Sequence, residues 1–147
     1  MKLSTRVRYG VRALVELADV QRESPVLLDS IAKKQGISRK YLDAIFARLK
    51  AAGIVSSSRG AGGGFRITRA PASITVADVF QGLEGSLCLV DCESEDSHCG
   101  QFQHCPTTEM WAELSSLMTD YLGSITIQKL VERKREKAER SSMMYYI

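Results

Sequence analysis

A short apolar-periodic run that halts at Gly36, a serine at position 38, and a longer periodic run that halts at Gly53 constrain this chain more than any other feature. Leu28, Ile31 and Ala32 fall on one face of a short helix, and Gly36 suits the left-handed backbone at a helix end. Ser38 is a natural N-cap for the next helix, whose buried side carries Tyr41, Leu42, Ile45, Phe46, Leu49 and Ala52. A short helix, a glycine turn and a longer capped helix make a helix-turn-helix. Ahead of it, Val7, Val11, Leu14, Val15 and Ala18 mark a first helix from Thr5 to about Val20, closed off by Pro25.

Beyond Gly53, the segments Ile54–Ser58 and Phe65–Thr68 read as two strands around the glycine-rich tip Arg59 to Gly64. That tip is not a phosphate cradle, because no Lys-Ser or Lys-Thr follows its glycines and no G-x-G-x-x-G is present. The predicted fold is therefore mainly α with a small β-wing, a winged helix-turn-helix over residues 1–70. Thr75 caps a linking helix through Val76, Val79, Phe80 and Leu83. With the cysteine-rich segment that follows, this helix makes up residues 71–106. From Thr107 a broad apolar stripe of Trp111, Leu114, Leu117, Met118, Tyr121 and Leu122 runs to a break at Gly123 and Ser124. Thr126 then caps a last helix through Ile127, Leu130 and Val131. Residues 107–140 are expected to lie outside the compact winged unit and to form a long C-terminal dimerisation element, packing on the chain's own first helix being the alternative, with 141–147 as a tail.

All the cysteines, Cys88, Cys92, Cys99 and Cys105, fall within eighteen residues, separated by three, six and five others. This is unlike the paired C-x2-C knuckles of tetrahedral zinc and suits a loop around an iron-sulfur cluster. Zinc, a redox thiol switch and an inert thiol set are the other readings of the spacing. A disulfide framework does not fit a chain of 147 residues with no signal peptide and room for a proper core. No membrane span is evident and a cytoplasmic protein is expected.

Charge divides the chain: residues 1–70 hold 14 Lys and Arg against 5 Asp and Glu, a net +9, while residues 71–147 hold 6 against 12, a net −6. The basic half is a candidate nucleic-acid surface. A helix-turn-helix sets the start of its second helix in the major groove, which makes Ser38, Arg39, Lys40 and Asp43 the expected contacts. Arg39 and Lys40 suit guanine O6 and N7; Asp43 either accepts from cytosine N4 or pairs with Arg39 one turn away. Arg59 and Gly60 open the wing, where Arg59 is placed to enter a minor groove. Lys2, Arg6 and Arg8 are phosphate contacts or solvated charges. No nucleophile with a distant base and no phosphate fingerprint is present, and His98 and His104 both lie in the thiol loop, which argues against an enzyme with a small-molecule substrate.

The run Gly36-Ile37-Ser38, Tyr41-Leu42, Ile45-Phe46, Leu49, Gly53-Ile54-Val55-Ser56-Ser57, Arg59-Gly60 and Gly62-Gly63-Gly64-Phe65 closely resembles the Rrf-type winged-helix transcription regulators. The cysteine loop followed by a Trp-containing helix resembles their iron-sulfur-responsive IscR branch. That resemblance, to about residue 131, implies a homodimer on a pseudo-palindromic DNA operator. It also implies a bound cluster, usually 2Fe-2S, whose occupancy changes the sites accepted. By position, Cys92, Cys99 and Cys105 match the three cysteine ligands of the branch. Thr108 stands where the branch places a histidine, and Arg8 and Arg12 stand where other members recruit a ligand from the partner's first helix. Cys88 is the extra thiol able to fill the gap. A cluster-free thiol or zinc regulator of the same fold, and an electron-transfer or cluster-carrier protein, are the alternatives.

Overall fold

The computed structural model describes residues 3–20, 24–60, 62–90 and 104–144. Its order is α1 (Thr5–Val20), α2 (Leu28–Gln35), α3 (Arg39–Ala51), β1 (Val55–Ser58), β2 (Gly64–Ile67), a 3-10 turn at Pro71–Ser73, α4 (Val76–Glu84), α5 (Thr108–Ser124) and α6 (Ile127–Met144). The expected caps are in place. Gly36 ends α2 at φ 64°, and the Ser38 hydroxyl accepts a hydrogen bond from the Tyr41 amide at the start of α3. Thr75 and Asp78 form a reciprocal capping box on α4.

The core lies between α1, α3 and α4. Leu14, Leu17, Leu42, Ile45, Phe46, Leu49 and Leu83 in it are fully enclosed. The inner face of α1 is rotated from the expected stripe: Val7, Gly10, Ala13, Leu14 and Leu17 are buried, whereas Val11, Val15 and Ala18 flank the core. At the end of α3, Ala52 is exposed, because the helix closes at Ala51 and the chain turns outward.

The strands pair antiparallel in register Val55↔Ile67 to Ser58↔Gly64. A third segment joins them: the amides of Val26 and Phe65 each donate to the other's carbonyl at 2.8 Å. Gly64 makes this approach possible, since a Cβ there would lie 2.6 Å from the Val26 carbonyl oxygen and its φ of +152° disfavours other residues. Phe65 stacks edge-on to Phe46 at 4.9 Å between centroids, which ties the wing to α3.

The last helix does not stand outside the compact unit. Ile127 and Val131 are buried, and α6 packs along α1. Its start is pinned by an antiparallel bridge in which the Val76 amide donates to the Ile125 carbonyl and the Ile127 amide to the Ile74 carbonyl, both at 2.8 Å. Apolar side chains at helical spacing are equally suited to a self-packed or a partner-packed face, so periodicity alone does not separate the two. The stripe on α5 differs, for no residue of that helix is buried.

Glu16 of α1 is 2% exposed and forms ion pairs with Lys34 of α2 and Lys134 of α6, the latter at 2.7 Å. Lys134 also reaches Asp19 at 2.6 Å, and Arg135 joins Asp19 at 2.8 Å. Burial raises the Glu16 carboxyl, but the bonds from Lys134 and Lys34 together outweigh it and hold it below its ordinary value of 4.5. Asp19 is lowered below 3.8, first by Lys134, against partial burial, and further by Arg135. Depressed folded-state values mean that this stabilisation is full above the unfolded pKa values and is lost as pH falls through the folded ones. Glu16→Gln is expected to cost about 1–3 kcal/mol at pH 7, less than a fully buried pair because both lysines reach water. Denaturant melts from pH 7 to pH 3 should also show a flatter acid slope than the parent, and an unchanged slope would contradict the role given to Glu16.

Candidate nucleic-acid interface and thiol loop

The amino-terminal turn of α3 is exposed over Ser38, Arg39, Lys40 and Asp43, while Leu42, Ile45 and Phe46 of the same helix are held in the core. A short polar face on a rigidly packed helix is thereby presented to solvent. Tyr41 is half-buried; its ring meets Tyr9 edge-on at 6.0 Å and its hydroxyl lies 3.1 Å from that of Thr5. These contacts fix α3 against α1.

Within this face Arg39 is held by two carboxylates. Its Nε donates to Asp43 at 3.1 Å and its Nη1 lies 2.8 Å from Asp29 in the first turn of α2. Asp29 raises the guanidinium pKa, slight burial opposes it, and Asp43 adds to the rise. The ion-pair alternative for Asp43 is therefore realised, and Asp29 is a member of the face that sequence reasoning missed. A carboxylate in the first turn of a helix reads as a dipole partner, and nothing local announces a contact to the next helix.

Arg59 and Gly60 follow β1 and are exposed, with Gly60 at φ 98°. On α3, Lys50 donates to Ser57 of β1 at 2.7 Å, which links the helix to the wing. Several other cations serve the fold: Arg48 donates to the Leu83 carbonyl at 2.9 Å, Arg69 pairs with Asp78 at 3.1 Å, and Arg6 pairs with Glu84 at 3.2 Å. Arg12 binds the side chain and carbonyl of Gln35, and Arg8 lies 5.8 Å from the Tyr9 ring centroid. Lys2 lies outside the described residues.

If the wing meets DNA through Arg59, Arg59→Ala is expected to weaken specific DNA binding by about 1–3 kcal/mol. Mobility-shift titrations at fixed salt check this. Equal affinity for parent and variant would remove Arg59 from the interface.

The thiol loop leaves α4 and enters α5. Cys88 is exposed just beyond α4, with its Sγ 3.5 Å from the Ser86 hydroxyl. Cys105 is half-buried and its Sγ lies 3.2 Å from the Thr107 hydroxyl. Thr107 is the N-cap of α5 yet makes no capping bond, its hydroxyl being turned to the thiol. The Thr107 hydroxyl, then its amide, then the Thr108 hydroxyl draw the Cys105 thiol down from 9.0 to about 7. Thr108, an unsuitable iron ligand, thus helps to hold the neighbouring thiolate. His104 is exposed; Cys92, Cys99 and His98 lie outside the described residues. Four thiols with one eased toward thiolate form a donor set that fits soft metal ligation. Among the described residues, no three His, Cys, Asp or Glu side chains gather as a metal site. No helix among them is long and apolar enough to cross a membrane.

Residues 3–133 match the family model Rrf2, described as an iron-dependent transcriptional regulator. The HTH-type transcriptional regulator IscR of Xenorhabdus nematophila is 37% identical over 134 residues, spanning 91% of this chain and 81% of that protein. Among solved structures, T. potens IscR superposes with TM-score 0.75 at 36% identity, over 93% of this chain and 90% of that one. CymR (YrzC), the global cysteine regulator of B. subtilis, superposes with TM-score 0.73 at 33% identity, over 90% and 98% respectively.

Proposed function

The chain belongs to the Rrf2 family and is an IscR-like DNA-binding transcriptional regulator, not an enzyme; from that premise we propose that it is a homodimer whose choice of operator follows the state of an iron-sulfur cluster in its thiol loop. One observation carries the reading. Cys105, eased toward thiolate, stands three residues ahead of α5 and hydrogen-bonds to its N-cap Thr107, and α5 is the helix whose exposed stripe would meet a second copy. Iron ligation at one end of α5 and subunit pairing along it would therefore bear on the same helix.

Cys92, Cys99 and Cys105 would hold the cluster, most simply 2Fe-2S, with Cys88 as fourth donor, softer than Thr108, Glu109, His98 or His104. When bound, such a cluster supplies iron centres that respond to iron supply and oxidants. The chain's own part is mechanical. Ligation would order the thiol loop, and ordering costs about 1 kcal/mol or more per residue, so thiolate bonds to iron can set which arrangement of α4 and α5 prevails. Because the segment from Val76 to Ile125 is clamped at both ends by the bridge between them, a change in the loop would shift α5 against α4 and leave the core in place. Ser38, Arg39, Lys40 and Asp43 would address base edges and phosphates, with Arg59 and Gly60 at the minor groove.

Protein purified without oxygen, assayed for visible absorption, iron and sulfide, and then footprinted with and without the metal, tests the reading. A coloured protein protecting two symmetric half-sites supports it. Colourless, metal-free protein with the same footprint would overturn the cluster, and one undivided contact region at monomer stoichiometry would overturn the dimer. The likeness to a cysteine regulator favours one second reading, a cluster-free regulator that acts through its thiols. In that case footprints would follow thiol oxidation and ignore iron.

A further inference from the structure

The carboxylate pair around Arg39 has no evident role in stability. Asp29 is 63% exposed, Asp43 50% and Arg39 44%, and ion pairs as open as these contribute little to folding. Their geometry is nonetheless specific. Two helices each supply a carboxylate to one guanidinium, one at Nη1 and one at Nε, so two of its five N–H groups are taken. Among the described residues, Nη2 has no partner. The two carboxylates also outweigh the single positive charge, which removes Arg39 from the pool of cations that any phosphate backbone would attract.

We infer that Asp29 is a specificity-determining residue: it positions Arg39 for a base edge and withholds it from non-specific phosphate binding. The inference rests on the reading that α3 enters the major groove. Phosphate contacts supply affinity without sequence information, whereas a fixed guanidinium facing guanine supplies discrimination. An arginine held on two sides reaches a base with little rotamer freedom left to lose. Released from Asp29, the same side chain becomes a mobile cation that strengthens binding to every sequence and discriminates less.

The test uses the whole chain and two duplexes: one selected from a randomised pool by the parent, and a scrambled duplex of equal length and composition. Asp29→Asn is expected to tighten binding to the scrambled duplex and to lower the ratio of the two affinities about tenfold. Its thermal midpoint should stay unchanged, and Asp29→Glu should recover part of the ratio. In an Arg39→Ala background, Asp29→Asn should leave the ratio where Arg39→Ala alone puts it. Three results would overturn the inference. These are an unchanged ratio, a lowered midpoint with an unchanged ratio, which would make Asp29 only a helix-start residue, and an equal fall in both backgrounds, which would be a simple charge effect. If Arg39→Ala itself leaves the selected sequence and its affinity unaltered, the placement of α3 in the groove fails, and the role of Asp29 fails with it.

Discussion

Alanine at Cys92, Cys99 or Cys105 is expected to abolish the visible absorption of protein purified without oxygen, together with its iron and sulfide, while Cys88→Ala shifts the spectrum and shortens its lifetime in air. Each thiolate is one of the few bonds that hold an iron centre to a loop, and a methyl group in its place offers no lone pair. The Cys105 variant carries the sharpest expectation, because Thr107 and Thr108 both turn hydrogen bonds onto that sulfur. The fold should survive in the Cys88 and Cys105 variants, since both residues lie outside the buried core. Far-ultraviolet dichroism and melting midpoints check that point. Retained colour at full iron content in Cys99→Ala or Cys105→Ala would rule out the proposed ligand set. An unaltered spectrum and air lifetime in Cys88→Ala would remove that residue and direct attention to His104 or Glu109.

Glutamate in place of Leu117 should convert the proposed dimer to monomers and weaken operator binding at least 100-fold. Leu117 is 66% exposed in the single chain, and Met110 at 50%, Leu114 at 37% and Tyr121 at 64% recur with it at spacings of four, three and four. That spacing suits the seam the proposed dimer needs. The adjoining face of α5, about 100° round the helix, carries Trp111, Met118 and Leu122, half-buried, so the exposed seam extends an apolar surface that is already partly covered. A carboxylate in such a seam loses water on association and is opposed by its symmetry mate, a penalty of several kcal/mol. Each half-site would then be bound alone, without the gain from linkage. Sedimentation and mobility-shift titration measure the two effects. A variant that stays dimeric would show that the seam is not the subunit contact.

The helices, the wing and their order were legible because each rests on local chemistry. Gly36, Ser38, Thr75 and Thr126 act on backbone groups within a few residues, and the period of Leu42, Ile45, Phe46 and Leu49 reports one face of one helix. What escaped the sequence lies in partnerships between distant residues. Val26 has no strand-like neighbours, and only Phe65 from across the chain gives it a ladder. Glu16 reads as one more solvated charge on a helix, yet its partners stand 18 and 118 residues away. Periodicity leaves the cover of the last helix open, because Ile127 and Val131 look the same whether α1 or another chain covers them. For the candidate site, the spacing of the cysteines marked the loop. It could not show that the Thr107 hydroxyl would forgo its helix and turn to Cys105, since that choice depends on how the chain enters α5.

The bridge between residues 74–76 and 125–127 sets the start of α4 beside the end of α5, so the thiol loop and α5 form an excursion from a body that α4 itself helps to build. A segment whose two ends are already neighbours can lengthen at small entropic cost, about 0.6 kcal/mol for each doubling of a flexible loop. Its content is freer than the remainder: the frame built by α1, α3, α4 and α6 buries Val79 and Leu83 of α4 but no residue of α5. Sensing could thus be rewritten as a cassette, by insertion, deletion or exchange of residues in that one excursion, while the reading head kept its sequence and its target.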